Sequence, residues 1–250
     1  MVQAGHDPAT EIALASRSGT RLISLPLDAL TPRLWSEGLA MSRGDVVAFT
    51  TCHCFVSRNW ADDLVDAVDG GAAAAGGPLR LAETATPLDA AVFFLRYSAF
   101  IERQSDGPAA ELAGDNSAYS RKAIPSGSWS RQNGFWELDV NNAIRAAGGS
   151  LMWVNDAVAE FGSSFKLGAI CRHRFAHARL FGKARVENGS NGRLRIILGS
   201  PVVPFVLALR ARSRVWHVPF YRKRFLAALP LLIVIAACWA AGEATGAMEA

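Results

Sequence analysis

The sequence has 250 residues, half of them hydrophobic, which is enough chain for one large domain or two small ones with a buried core. Its net charge of +4 is unevenly divided, because residues 1–165 hold 12 Lys and Arg against 19 Asp and Glu, whereas residues 166–224 hold 14 Lys and Arg and the single acid Glu187. An acidic body joined to a basic segment disfavours a nucleic-acid partner and indicates a domain leading into a region that faces anionic membrane lipids.

The cysteine pattern and the first residues bear on the compartment. Cys52, Cys54, Cys171 and Cys238 form no CxxC pair, which argues against a disulfide framework and is typical of a reducing compartment. Residues 1–7 lack both a basic n-region and an apolar h-region, so we predict no signal peptide.

Predicted strands and helices alternate along the body of the chain. Residues 46–50 (VVAFT) form a short apolar run typical of a buried parallel strand. Asn59 is predicted to cap the next helix, whose apolar positions Trp60, Leu64 and Val68 share one face. The further predicted elements are a helix from residue 86 to about 103, a strand over 116–120, a helix over 137–147 and strands over 151–154 and 157–161. This alternation predicts an α/β domain with a mainly parallel sheet.

The first of two apolar runs in the C-terminal part of the chain covers residues 196–209 (IILGSPVVPFVLAL). It is only fourteen residues long and contains Gly199, Pro201 and Pro204. That length and those helix breakers predict a re-entrant or interfacial segment, or a short kinked helix.

The second apolar run, residues 225–241 (FLAALPLLIVIAACWAA), has seventeen residues and no charge. About 17 residues is the lower limit for a helix that crosses ~30 Å of hydrocarbon. We therefore predict a membrane tail over residues 191–250 with one transmembrane helix over 225–242, and a buried core helix is the alternative.

Basic residues next to these runs predict the topology. Six Lys and Arg lie within residues 210–224, and the positive-inside rule places this linker in the cytosol together with the body of the protein. The first run then does not cross, and Ala250 lies on the opposite side. The basic residues of the stretch 172–179 are interpreted as a solvated face near lipid.

Three stretches of the body stand in an order typical of one known family. Residues 37–49 (EGLAMSRGDVVAF) look like a small-residue helix and a "GDVVAF" strand, residues 114–121 (GDNSAYSR) like a "G-x-N-x-A-x-R" segment, and residues 133–149 (NGFWELDVNNAIRAAGG) like an acidic block that ends in glycine. Residues 242–246 (GEATG) are similar to a "GE-x-x-G" segment that follows the last membrane helix in some members. Together they resemble the family 2 glycosyltransferases.

The resemblance implies a GT-A-like, Rossmann-like domain with a mainly parallel sheet over residues 1–190. Members begin with a strand, a helix and a second strand that build much of the nucleotide site and end near "D-D-G-S-T-D". Residues 2–7 fall where that motif would be, so roughly 40 residues of the family's fold are expected to be missing and the domain to be N-terminally incomplete.

The resemblance also implies a DxD motif that binds Mg²⁺ or Mn²⁺, but its positions hold Thr51, Cys52 and His53. Neither Thr nor Cys supplies the hard carboxylate oxygen that these ions prefer, so Mg²⁺ or Mn²⁺ is left open as a cofactor, none is assigned, and no metal ligand is named. Zinc at Cys52, His53 and Cys54 is disfavoured because neighbouring residues of a strand point to opposite faces.

Glu137 is the catalytic base that the resemblance implies, with Asp139 as the second choice. At the N-terminus of a predicted helix, the carboxylate of Glu137 faces the positive end of the helix dipole. From the pattern alone, a capping role for Glu137 is the alternative, and Asp139 could instead orient a neighbour.

The expected substrate contacts are Thr51, His53, Asn116, Arg121 and Trp136. His53 is expected to meet the diphosphate of the donor, since a protonated imidazole pairs with phosphate. Asn116 and Arg121 are expected to contact sugar or phosphate, with surface polar groups as the alternative, and Trp136 beside Glu137 is expected to contact sugar.

The resulting prediction is a membrane-bound glycosyltransferase of the hexosyltransferase class, with its catalytic domain on the cytosolic side. Its donor would be a nucleotide sugar or a lipid-linked sugar, and its acceptor a lipid or a cell-envelope glycan. The alternative is a catalytically inactive, glycosyltransferase-like membrane scaffold or a truncated gene product, which the altered DxD and the missing nucleotide half favour.

Overall fold

The structure is a computed structural model that describes residues 1–101, 105–162, 165–187, 189 and 192–250. Its strands are β1 (Val2–Ala4), β2 (Ile23–Leu25), β3 (Val46–Thr50), β4 (Cys54–Val56), β5 (Ala74–Gly76), β6 (Leu79–Leu81), β7 (Gly107–Pro108), β8 (Asn116–Ser120), β9 (Leu151–Trp153) and β10 (Ala159–Phe161). Its α-helices are α1 (Pro8–Ala15), α2 (Thr31–Met41), α3 (Trp60–Asp69), α4 (Pro87–Tyr97), α5 (Glu137–Ala146), α6 (Leu167–Glu187), α7 (Arg193–Gly199), α8 (Val203–Val215) and α9 (Pro219–Glu249).

Local signals account for where several helices begin. Thr86 and Asp89 form a reciprocal capping box at the start of α4, and Pro87 follows at its first position. The helix ends at Tyr97, earlier than the predicted end near residue 103. Asn59 occupies the N-cap position of α3, as predicted, but its side chain makes no capping hydrogen bond.

The chain divides into two compact units. The first contains residues 1–78 and 102–159, and the second contains residues 79–101 and 160–250. This division differs from the predicted one, which has a single boundary near residue 190, because α4 and α6 belong to the second unit together with the C-terminal helices.

The main sheet of the first unit has five strands in the order β3-β8-β5-β9-β7. β8 runs antiparallel to both β3 and β5, β5 is parallel to β9, and β7 is antiparallel to β9. The sheet is therefore mixed, and the prediction of a mainly parallel sheet is corrected. The alternation of elements predicts their type but not their direction, because the direction of a strand depends on the path by which the chain enters the sheet, and β8 enters between β3 and β5 against both of them. β3, β5 and β9 nevertheless all point the same way.

β8 is buried on both faces, which explains why its sequence, NSAYS, does not alternate between apolar and charged residues. Tyr119 packs on one face with Phe49 and Phe135, whose rings stack 4.7 Å apart. Ala118 packs on the other face with Trp60 and Leu64 of α3. Successive residues of a strand point to opposite faces, so this single strand joins two hydrophobic clusters.

Two short strands at the start of the first unit, β1 and β2, form a separate parallel pair in which Val2 lies opposite Ile23. α1 connects them, and the Asp7 carboxylate caps that helix by accepting from the N–H groups of Ala9 and Thr10.

The second unit is mainly helical, and α9 is its longest helix. α9 contains the predicted segment 225–242 within a continuous helix that tolerates Pro230. The first apolar run is a helix interrupted by a 3₁₀ turn over Ser200–Val202, in agreement with the predicted kink. Two helical segments, Arg193–Val215 and Pro219–Glu249, are long and apolar enough to cross a membrane.

Glycines let α6 and α9 approach closely in the second unit. A Cβ placed on Gly242 or Gly246 would overlap the carbonyl oxygen of Phe175 or Arg179, respectively, and a Cβ on Gly182 would overlap the Glu243 carbonyl. The spacing of Gly242 and Gly246 is the small-xxx-small pattern that brings helix backbones together. Gly242 meets the earlier part of α6 and Gly246 the later part, so the two helices run parallel.

Candidate functional site

The candidate site lies at one edge of the five-stranded sheet. The carboxyl ends of β3, β5 and β9 meet there with the amino end of β8, since Thr50 lies opposite Asn116 in the register. Ligands of α/β sheets commonly bind outside the carboxyl ends of the strands. A ligand site is therefore expected at this edge, and the predicted residues that lie here are the candidates for it.

Residues 51–53 form the turn that joins β3 to β4 at this edge. The carbonyl of Thr51 accepts the Cys54 N–H at 3.0 Å, and the Thr51 hydroxyl lies 3.7 Å from the Cys54 sulfur. His53 is half-buried, and its ring nitrogens lie 3.8 and 3.9 Å from the exposed Cys52 sulfur. Thr51 and His53 are thus held in a tight turn beside the start of β8.

Gly114 brings Glu137 to the same edge. A Cβ placed on Gly114 would lie 3.2 Å from Cβ of Glu137 and 2.5 Å from two ring carbons of Trp35. Only a glycine permits this approach of α5 and α2 to the start of β8 without displacement. Glu137 is half-buried at the first position of α5, and Trp136, the N-cap residue, donates its Nε1 hydrogen to Asn133 O at 2.8 Å.

The loop before α5 is fixed by α2, which sets the position of Glu137. Phe135 donates its N–H to Pro32 O at 2.8 Å, and Arg131 forms an ion pair with Glu37 at 2.7 Å. Gly134 has a φ of 91°, a left-handed conformation that glycine adopts at little cost.

Asp115 is the residue of this edge that sequence reasoning did not nominate. It is 1% exposed and directly follows Gly114. Asp115 lies beside the 51–53 turn, because Thr50 is opposite Asn116 in the register of β3 and β8. Partial desolvation raises the pKa of the Cys52 thiol, and the carboxylate of Asp115 raises it further. No local signal in the sequence indicates this burial, because the residues that pack against the adjacent Gly114 are Trp35 and Glu137, which are distant in the chain.

Asn116 lies at the same edge, but its side chain is used inside the protein. It is fully buried, its Oδ1 accepts from Trp60 Nε1 at 2.6 Å, and its Nδ2 donates to Pro78 O at 3.0 Å and Ala157 O at 2.9 Å. These bonds join β8 to α3 and to two loops. The geometry gives Asn116 a bracing role rather than a surface that faces a ligand.

Arg121 lies at the opposite edge of the sheet from the site. Five residue steps along β8 separate it from Asn116, or about 16 Å. Its guanidinium donates to Gly44 O at 2.8 Å, Leu39 O at 3.4 Å and Ser42 Oγ at 2.6 Å, so it fastens the end of α2 to the start of β3. The structure therefore does not bring Arg121 together with His53 and Glu137.

Asp139 is on α5 but points away from Glu137. Two helix positions correspond to a rotation of about 200° around the axis. The Asp139 side chain is exposed, although neighbouring protein desolvates the carboxylate enough to raise its pKa. Glu137 is thus the carboxylate of α5 that shares the edge with Asp115 and the 51–53 turn.

The residues of this edge do not fit a hard divalent cation. Within the described residues no cluster of three or more His, Cys, Asp and Glu side chains is arranged to hold a metal ion. The 51–53 turn offers a hydroxyl, a thiol and an imidazole, and the nearby carboxylate of Asp115 is buried. Mg²⁺ and Mn²⁺ prefer several oxygen ligands, so we derive no step through a metal.

An open depression of about 370 Å³ lies elsewhere in the first unit. It is lined by residues of α1 and the segment leading into β2, including Glu11, Arg17 and Thr20. None of the predicted site residues borders it.

Comparisons with known proteins add little to this geometry. No family model matches the chain, and no curated protein matches it. A solved structure described as that of a mycobacterial protein is similar with 18% sequence identity and a TM-score of 0.46, over 71% of this chain. The chain spans 61% of that protein, and a likeness of this degree does not bear on function.

Proposed function

We propose that the protein is a membrane-associated glycosyltransferase that transfers a hexose from a nucleotide sugar or lipid-linked donor to a lipid or cell-envelope acceptor. The resemblance of residues 37–49, 114–121 and 133–149 to family 2 glycosyltransferases, and so to a GT-A-like fold, supports this proposal. The two apolar helical segments support the membrane association, with the first unit assigned to the cytosolic side.

The observation that carries the proposal is the meeting of Glu137 with the 51–53 turn around Gly114 and Asp115. Three separate parts of the sequence converge on one sheet edge, and they are the parts to which the resemblance assigns the base and the diphosphate contact. A general base and a group that stabilises the leaving diphosphate are the two requirements of glycosyl transfer.

In the proposed step, Glu137 removes the proton of the acceptor hydroxyl while the oxygen of that hydroxyl bonds to the anomeric carbon of the donor sugar. The bond between that carbon and the diphosphate oxygen breaks, and the electron pair leaves with the diphosphate. The dipole of α5 stabilises the carboxylate of Glu137 before the proton is taken. A protonated His53 would pair with the departing diphosphate, and Trp136 would contact the sugar.

Glu137→Gln tests the base assignment. Gln keeps the shape of the side chain but cannot accept the proton, so transfer should fall by about 10²–10⁴-fold while donor binding stays nearly unchanged. Product formation would be measured with a panel of nucleoside diphosphate hexoses and extracted membrane lipids, and donor binding by calorimetry. Asp62→Asn is the matched control, because it removes an acid from the first turn of α3, another helix N-terminus.

Transfer that survives Glu137→Gln would contradict the role of Glu137 and direct attention to Asp139.

His53→Ala should instead weaken donor binding, because the diphosphate is present in the ground state as well as in the transition state. Activity should also depend little on added Mg²⁺ or Mn²⁺, since the turn has no carboxylate for them.

A catalytically inactive, glycosyltransferase-like scaffold is the second candidate. The observation that favours it is the donor set at the turn, which does not fit the cation that the resemblance implies. Absence of measurable binding by every nucleotide sugar of the panel, in protein whose fold is verified by circular dichroism, would favour this candidate over the transferase.

A further inference from the structure

An apolar stripe runs along the helical segment formed by α7 and α8. Its members are spaced by four, four, three and four residues, which keeps them on one helical face despite the kink. They are between 57% and 76% exposed, and they are Leu194, Leu198, Val202, Phe205 and Leu209. We call these five residues the apolar stripe. Large exposed apolar surfaces of this kind mark interaction sites.

Basic residues flank the apolar stripe at both ends. Arg193 and Arg195 lie at its start, and Arg210, Arg212 and Arg214 follow its end; all five are exposed. The guanidinium of Arg212 lies 4.3 Å from the ring centroid of Trp216, an aromatic residue next to the cationic end. An anionic lipid surface suits this arrangement, because the apolar face can enter the boundary between headgroups and acyl chains while the cationic ends and the aromatic residue stay at the headgroups.

The contacts of α9 indicate how this surface meets a membrane. Near the start of α9, Tyr221 and Phe225 pack on Phe94 of α4, with centroids 6.1 and 5.4 Å apart. Further along α9, Gly242 packs against the backbone of Phe175 in α6, and Gly246 packs against that of Arg179. α9 is thus held by α4 at one end and by α6 at the other.

The chain between these two contacts is too short to cross a bilayer. Phe161 lies in the aromatic cluster of α4, 5.2 Å from Tyr97, and α6 begins at Leu167. Six residue steps span at most about 21 Å, less than the ~30 Å of hydrocarbon. α6 itself is rich in Arg and His and cannot replace a spanning segment. α4 and α6 therefore lie on the same side of any membrane, and α9, which contacts both, does not pass through it.

We propose that α7, α8 and α9 lie in the plane of an anionic membrane surface, with the apolar stripe inserted at the boundary between headgroups and acyl chains. In this arrangement both apolar helices bind one leaflet, in place of the single span expected over residues 225–242. The inference is independent of the transferase chemistry, because it uses only contacts within the second unit.

The full-length protein would be floated with preformed vesicles of phosphatidylcholine containing roughly 30% phosphatidylglycerol, and with vesicles of phosphatidylcholine alone. The wild type should float with the anionic vesicles and less with the neutral ones, and added salt should weaken the binding. The double variant Leu198→Glu/Phe205→Glu should bind at least about tenfold less, since two inserted apolar side chains become charged.

Leu27→Glu is the control, because it places a glutamate at an exposed leucine outside the apolar stripe, in the first unit, and should bind like the wild type. Equal flotation of the double variant and the wild type would overturn the assignment of the apolar stripe. Circular dichroism spectra of both variants check that their helices form.

Sidedness tests the in-plane orientation separately. Ser213→Cys and Met248→Cys, each introduced into a chain whose native cysteines are replaced by alanine, lie near opposite ends of α9. A membrane-impermeant maleimide should label both from the side to which the protein was added. Labelling of the two positions from opposite sides would show a spanning α9 and overturn the proposal.

Discussion

In both units backbone segments pack closely together, but the residues that make this close packing stable differ: a buried polar side chain in the first unit and a glycine in the second. In the first unit the amide of Asn116 is buried at the end of a strand and is bonded to three partners from other elements. In the second unit Gly246, which has no side chain, lets the backbones of α6 and α9 meet.

The difference follows from how each kind of element satisfies its backbone. Strand ends and loops leave N–H and C=O groups without partners, so a buried polar side chain is needed where they meet. Helices pair their own backbone groups, so two helices need only small residues to approach. Polar residues near the sheet edge are therefore ambiguous in sequence, because bracing and ligand binding use the same side chains.

The largest effect in this comparison is expected for Asn116→Ala. The substitution leaves Trp60 Nε1 and the Ala157 carbonyl buried without a partner, at about 1–3 kcal/mol each, and removes one of two hydrogen bonds to Pro78 O, which keeps the Ala159 N–H; the free energy of unfolding should therefore fall by about 3–5 kcal/mol. Urea titration followed by tryptophan fluorescence measures this. Asn142→Ala on the exposed face of α5 is the control and should change stability by less than about 0.5 kcal/mol.

Gly246→Ala tests the second unit in the same way. The added methyl group would overlap the Arg179 carbonyl and push α6 from α9, which should cost about 2–3 kcal/mol and increase hydrogen exchange in peptides of α6. Gly199→Ala is the control, because a Cβ there meets nothing within 4 Å. The idea of close glycine packing fails if the two variants have the same stability and exchange.

Arg121→Met should separate bracing from ligand binding. Loss of two hydrogen bonds to the end of α2 and one to Gly44 O should lower stability by about 1–2 kcal/mol, while donor binding and transfer stay unchanged because Arg121 lies at the far edge of the sheet. Arg58→Met, at an exposed arginine, is the control. A large loss of donor affinity in Arg121→Met would restore the substrate role that the sequence predicts for this residue.

The sequence predicts elements of the fold better than their arrangement. The strands over 46–50 and 116–120 and the helix beginning at Glu137 are confirmed, because local pattern and end signals determine them. The predicted mainly parallel sheet was not confirmed, because β8 runs antiparallel to both of its neighbours and strand pairing depends on distant connections. α6 was not predicted as a helix, because its arginines and histidines give no clear apolar face and its packing depends on glycines of α9.

The candidate site shows the same limit. Glu137, Trp136 and the 51–53 turn lie around one edge, but Asn116 and Arg121, which are close in sequence, are far apart, because Asn116 begins β8 and Arg121 follows its last residue. Residue type alone could not show which of these side chains lie at the site, because the distance between Asn116 and Arg121 comes from the rise per residue of an extended strand. Asp115 was overlooked because it is buried beside Gly114, whose close neighbours Trp35 and Glu137 are distant in sequence.

The smallest predicted effect concerns His177 in the contact between α6 and α9. Its ring lies 5.5 Å from that of Trp239, and burial lowers its pKa to about 3, with further lowering by the positive charges of Arg174, His173 and Arg96. The folded protein therefore keeps this imidazole neutral at pH values where an unfolded histidine is protonated.

Because the folded pKa of His177 lies below the ordinary value of about 6.5, the unfolded chain binds the extra proton as pH falls. Stability from the neutral ring is present above pH ~6.5 and is lost towards pH ~3, and the loss between pH ~7.5 and ~6 should be about 1 kcal/mol. His177→Phe should remove that slope from urea unfolding measured across this range, because phenylalanine keeps the aromatic contact and does not titrate. His217→Ala, at an exposed histidine, should keep it. Equal pH slopes in His177→Phe and the wild type would mean that His177 is protonated in the folded protein, and that α6 and α9 do not exclude water from it.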